Sequence, residues 1–253
     1  MGCDIHLRVE KRGPEGWRPV EKMVPARYPD FEGEMEPERW FHQRNYDAFA
    51  ILANVRNGRG FGGELTGEGF DPIAEPRGLP ADLWDGYGEG DWFGDHSFSW
   101  VSARELVELD WSKTSTHRGL VTASTYHNWR QYDREEMRPP KMYCSSVSGA
   151  GVRILPSKEV DRLLDAMVER ARAEVGAQSG WGQVFDRMLY GPDGRRDDFH
   201  GGRGELYGVY AECSWVEFYS ESAGQLYTRL VPRLKKLAGE DLDSVRIVFG
   251  FDS

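Results

Sequence analysis

Between Ser157 and Gly176 the apolar residues Val160, Leu163, Leu164, Met167, Val168 and Ala171 fall at helical spacing. This predicts an amphipathic helix, capped at Ser157 and ended near Gly176, whose stripe must lie against a sheet or another helix. The sheet comes from the two ends of the sequence. Asp4 to Glu10 reads as a first strand, followed by a turn-rich link and a hairpin partner at about Trp17 to Lys22. Val245-Arg246-Ile247-Val248-Phe249-Gly250-Phe251 reads as an apolar closing strand, and Leu206 to Tyr219 alternates as one bent strand or a pair.

Further helices are expected after Asn45, which can cap a segment from about Tyr46 to Arg56 with Gly58 as its stop, and after the capping box Ser102-Ala103-Arg104-Glu105. Others are expected from Asn128 to Met137 and from Glu221 to Leu237, the last with a kink or a second start at Pro232. The prediction is an α+β fold: a single mixed or antiparallel sheet covered by about three main helices, with long Gly-rich loops. One domain over residues 1–253 is expected, with about 58–156 a candidate loop-rich insertion.

With 253 residues the chain can bury a core without disulfides or structural metals, and 13% aromatic content argues against disorder. Cys3, Cys144 and Cys213 are odd in number and include no C-x-x-C pair, which fits a reducing cytosol. No apolar run approaches the roughly 18 residues that span a bilayer, so a soluble protein without a membrane partner is expected. The N-terminus lacks the blocks of a signal peptide, and His6 stands where a myristoylation motif wants Ser or Thr.

Net charge is −10, and the acid is concentrated in residues 51–100, where three arginines face nine carboxylates. Broad nucleic-acid binding is therefore not expected. The Gly-, Pro- and acid-rich stretch from Gly58 to Gly94 carries aromatics that argue for an ordered loop packed on the body, and long loops of this kind are usually functional.

On a strand, Asp4 and His6 project to one face while Cys3 and Ile5 project to the other. Asp95 and His96 supply a second carboxylate–imidazole pair at the exit of the acidic loop. Together Asp4, His6, Asp95 and His96 suit a divalent metal, zinc or manganese, with an open position to activate water. The plainer reading makes Asp4 a capping or salt-bridging residue and His96 a loop-ordering one.

Cys3, facing away from His6, reads as a small buried residue before it reads as a nucleophile. Arg44-Asn45-Tyr46 at a helix start offers a place for phosphate or carboxylate, although Arg44 can equally pair with the acidic loop. Trp92 and Trp100, with Trp84, Tyr87 and Phe93, can stack a flat ligand or anchor the loop. The run Ser145 to Gly151 lacks a phosphate-loop pattern and reads as a turn. His42, His117, His127 and His200 have no partner suggested by spacing.

Three segments carry a resemblance: Met1-Gly2-Cys3-Asp4-Ile5-His6, Arg44-Asn45-Tyr46-Asp47-Ala48-Phe49-Ala50-Ile51-Leu52-Ala53, and Val245-Arg246-Ile247-Val248-Phe249-Gly250-Phe251-Asp252. Along its whole length the chain resembles a family of uncharacterised bacteriophage and prophage proteins. The resemblance implies residence in the host cytoplasm and an accessory role, either processing nucleotides or nucleotide signals or binding a host protein. Two functions are thus expected to compete. One is a metal-dependent hydrolase of a phosphorylated or nucleotide-like small molecule. The other is a noncatalytic protein that sequesters a ligand or masks a host factor through the acidic, aromatic loop.

Overall fold

The computed structural model describes residues 2–28, 31–87, 93–176, 178–189, 206 and 208–252. In chain order the elements are β1 (Ile5–Gly13), β2 (Gly16–Pro19), β3 (Met23–Pro25), β4 (Met35–Pro37), α1 (Tyr46–Ala53), β5 (His96–Ser102), α2 (Ala103–Glu108), β6 (Thr114–Thr122), α3 (Ala123–Tyr132), β7 (Arg153–Leu155), α4 (Ser157–Val175), α5 (Trp181–Leu189), β8 (Val209–Phe218), α6 (Tyr219–Ser222), α7 (Val231–Ala238) and β9 (Val245–Phe251).

The mixed α and β content matches the expected class, but the single sheet under three helices does not. Among the described residues there are seven α-helices and three small sheets, ordered β2-β1-β9-β5, β3-β4 and β6-β8-β7. The reason lies in the chain's division into two compact units. One comprises residues 1–63, 68–115 and 218–253, the other 64–67 and 116–217. Each has its own apolar cluster, so β6, β7 and β8 pair with one another instead of extending the first sheet.

In the first unit β9 is the central strand, paired antiparallel with β1 on one side and β5 on the other. All seven of its residues are buried. Val245, Ile247, Phe249 and Phe251 join the apolar cluster that contains α1 and α7, and the Phe49 and Phe251 rings lie 5.0 Å apart. Asn45 caps α1 as expected, its Oδ1 accepting the Ala48 N–H at 3.0 Å. The helix stops at Asn54, left-handed at φ 57°, before reaching Gly58. Ala48 to Ala53 are all buried, so α1 is a core helix rather than an amphipathic one.

The other face of β9 is covered by part of the acidic loop. Arg246, 3% exposed, donates from Nε to Glu10 at 2.8 Å and from Nη1 to Asp82 at 2.6 Å. Trp17 donates to the same Asp82 carboxylate and lies under the Arg246 guanidinium. Trp84, Tyr87 and Phe93 stack edge to face in series. The described part of the loop is therefore ordered and packed, as its aromatics suggested. Near the end of the unit the expected 221–237 helix divides into α6, a π-helical turn at Leu226–Leu230 and α7, with Pro232 in the first turn of α7.

In the second unit, Val160, Leu164 and Ala171 of α4 are buried in its cluster with Tyr126, Trp129 and Trp215. Ser157 does not cap α4; its hydroxyl donates to the Glu212 carbonyl, and Pro156 holds the cap position. Thr122 caps α3 by accepting the Thr125 N–H, so this helix starts five residues before Asn128 and ends at Tyr132. Residues 145–151 form an irregular segment with a turn closed by the Val152 N–H to the Gly149 carbonyl. Residues 190–204, His200 among them, lie outside the described residues.

Candidate active site

The first and last strands build the site. Ile5 pairs with Phe251 and His6 with Gly250, so Ile5 and Phe251 point into the core and His6 points to the opposite face. Just past the end of β9, the Asp252 N–H donates to the Asp4 carbonyl at 3.2 Å. One carboxylate oxygen of Asp252 accepts the Asp4 N–H at 2.8 Å, and the other lies 3.0 Å from His6 Nε2. A carboxylate fixed at both oxygens thus fixes the imidazole ring through one nitrogen. This is how an orienting acid sets up a catalytic histidine.

Gly2, Cys3 and Asp4 of the opening motif each have a distinct task around that pair. Arg44 forks onto Asp4, with Nε to Oδ1 at 2.7 Å and Nη2 to Oδ2. The Arg44 hydrogen bond holds the Asp4 carboxyl below the usual range, against a smaller opposing effect of burial. A Cβ on Gly2 would stand 2.6 Å from Arg44 Nη1, so the fork needs glycine there. Cys3 is buried among the core residues, and burial pushes its thiol pKa up against the opposing Arg56 hydrogen bond. That environment makes it a packed side chain, not a thiolate. The Tyr46 hydroxyl accepts the Cys3 N–H at 3.3 Å, and the Arg56 guanidinium lies over the Tyr46 ring.

His6, Asp4 and Asp252 line a cleft of about 500 Å³ along the first half of β1, within the size range of small-ligand sites. Arg8 from β1, Arg27 beyond β3, and Arg39 and His42 beyond β4 complete its polar wall. Glu36 organises the far side, accepting from Arg39 Nη2 at 3.1 Å and from the Arg27 backbone N–H. Three arginines share the wall with the three carboxylates of Asp4, Glu36 and Asp252, so the cleft is close to charge-balanced in a chain of net charge −10.

The expected four-residue metal centre is not assembled. His96 pairs with Phe251 across β9 and stacks on its ring at 6.1 Å. It therefore belongs to the face opposite His6, two strand spacings or about 10 Å away along the sheet. Its Nδ1 meets Ser97 Oγ at 2.9 Å. Asp95 is exposed, its N–H donating to the Phe251 carbonyl at 2.6 Å. Among the described residues no three His, Cys, Asp or Glu side chains are grouped to hold a metal ion.

The ligand-binding expectations also shift. Arg44 is engaged by Asp4 rather than open to an anion. Tyr46 supports the Cys3 backbone. Trp100 lies under the Arg77 guanidinium, which also forks onto Glu105, and is not part of the cleft wall. Trp92 falls outside the described residues.

The residues that sequence reasoning missed are Asp252, Arg8, Arg27, Arg39 and His42. Asp252 had a signal: it directly follows the apolar closing strand, so pairing first strand with last brings it beside Asp4. Arg8 had one too, since it follows Asp4 and His6 in the strand alternation of β1, whereas Arg27 and Arg39 had none, because β3 and β4 are three residues each. A second cleft of about 490 Å³ in the other unit sets Arg118 against Glu64 and Glu212 and contains no histidine. Compared with family models, curated proteins and solved structures, the chain gives no match.

Proposed function

We propose that the protein hydrolyses a phosphorylated or nucleotide-like small molecule in the cleft over β1. His6 is the general base, Asp252 its orienting acid, and Arg8, Arg27 and Arg39 the anion-binding groups. The observation that carries this reading is the 3.0 Å contact from His6 Nε2 to Asp252 Oδ2 in the wall of an arginine-lined cleft. His6 takes a proton from the attacking water as its oxygen closes on phosphorus and the P–O bond to the leaving group breaks. Asp252 stabilises the imidazolium that forms, and the arginines offset the charge gathering on the phosphoryl oxygens. Asp4 and Arg44 act one step back, holding the N-terminal backbone whose N–H fixes Asp252. The resemblance to phage proteins supports placing such an activity among accessory functions in a host cytoplasm.

The test is a screen of phosphomonoesters, phosphodiesters and nucleotides with wild type, His6→Ala and Arg39→Ala. The expected result is turnover by wild type, a loss of about 10²–10⁴-fold in kcat for His6→Ala, and a raised KM for Arg39→Ala. Equal rates for His6→Ala and wild type would end this reading. Tight binding of a ligand with no turnover would favour the sequestering protein instead.

A further inference from the structure

Resting on the role given to His6, we infer that His42 is the leaving-group acid of the same site and that the substrate is a nucleotide phosphodiester. His42 lines the cleft that contains His6. Its backbone is held on both sides: Phe41 is 4% exposed in the core, and the Gln43 side chain accepts the Gln225 N–H at 3.2 Å. The exposed imidazole is thus presented from a fixed position. The two histidines differ in setting, since His6 has Asp252 at 3.0 Å and His42 has no carboxylate partner among the described residues. A base braced by an acid and an unbraced second imidazole in one cleft is the arrangement that moves one proton in and another out.

Charge selects the ester. Arg8, Arg27 and Arg39 are matched in the wall by Asp4, Glu36 and Asp252, and Asp4 is further offset by Arg44. That balance suits the single negative charge of a diester better than the double charge of a monoester. An alcohol leaving group, unlike a phenolate, also needs a proton donor. The nucleotide assignment comes from aromatics next in sequence to the cleft's Arg27. Tyr28, 81% exposed, stacks against the Arg27 guanidinium that reaches the cleft, and Phe31 is 66% exposed nearby in sequence. Open aromatic faces beside phosphate-binding arginines are what a base stacks on.

In the step itself, His6 removes the proton from water or a ribose hydroxyl while the new O–P bond forms. The P–O bond to the leaving alcohol breaks, and His42 gives its proton to that oxygen. One proton is taken up and one released, and exchange with water resets the pair.

The experiment uses two substrates with the same attacking groups and different leaving groups: uridylyl-(3′,5′)-adenosine, which departs as an alkoxide, and uridine 3′-(4-nitrophenyl phosphate), which departs as a phenolate needing no proton. Wild type, His6→Ala, His42→Ala and His42→Gln are compared, with circular dichroism confirming the fold. The expected result is a loss of about 10²-fold or more for both His42 variants on the dinucleotide, with the nitrophenyl ester retained within a few-fold, while His6→Ala loses both. If the His42 variants lose both substrates equally, or neither, the acid role falls and the role of His6 stands. Wild-type turnover of phosphomonoesters but of neither diester overturns the substrate class alone. Undiminished turnover by His6→Ala overturns both readings.

Discussion

Asp252 carries more of the site than its position beyond the last strand suggests, because its two oxygens join the Asp4 backbone to the His6 ring. Asp252→Asn keeps the shape but loses the charge that steadies an imidazolium. On a substrate turned over by wild type, kcat/KM should fall by about 10²-fold or more with little change in melting temperature. Gly250, one residue from the pair opposite Ile5, is constrained sterically. A Cβ there would stand 2.1 Å from the Phe93 carbonyl, a backbone atom that cannot swing aside. Gly250→Ala should destabilise by about 1–3 kcal/mol, read from urea unfolding. Asp4 and His6 were legible as a same-face pair from strand alternation alone. Their true partners, Arg44 and Asp252, lie 40 and 246 residues away, and no local pattern encodes a pairing at that distance.

Among the elements, those with strong local chemistry were readable. The Asn45 cap, the Ser102–Glu105 capping box and the apolar β9 all stand where their residues put them. β5 was hidden, since Ser97 adopts φ 51° and the register with β9 shifts between His96 and Ser99, breaking the alternation that marks a strand. That bulged start also explains why His96 could not be assigned a face from the sequence. The placement of β9 rests on the buried Glu10–Arg246 pair, since both sit within the sheet at 0% and 3% exposure. Arg246→Ala leaves the Glu10 carboxylate buried without its cation and should cost about 3–5 kcal/mol in unfolding free energy. The double variant Glu10→Met with Arg246→Met removes both charges and should recover most of that loss.

Across the molecule the two units should respond differently to acid. His127, 1% exposed in the second unit, has its pKa held down to about 4 by burial and by Arg130, with Asp165 opposing. Unfolded, the ring returns to about 6.5 and binds a proton the native state refuses. Stability is therefore complete above about pH 6.5 and drains away as pH falls towards 4. Urea titrations across that window should show the decline in wild type and a flatter profile in His127→Leu.

The first unit should also stand alone. The Tyr219 N–H donates to the Lys113 carbonyl at 2.8 Å and the Ser220 N–H to that of Trp111, so the chain's exit before residue 116 and its return after residue 217 lie side by side in this unit. Replacing residues 116–217 with a short glycine linker should give a protein that melts cooperatively and keeps any activity that depends on His6.

The central place of β9 governs when this protein can exist at all. During synthesis β1 emerges first with its hairpin partner β2, and β5 about ninety residues later, yet the strand that joins them is missing until residues 245–251 leave the ribosome. For most of translation the β1–β2 hairpin and β5 each present an open edge, and the histidine waits for an aspartate made almost last. A message cut short anywhere upstream yields an inert chain with exposed strands, which proteases and chaperones can tell from the finished product.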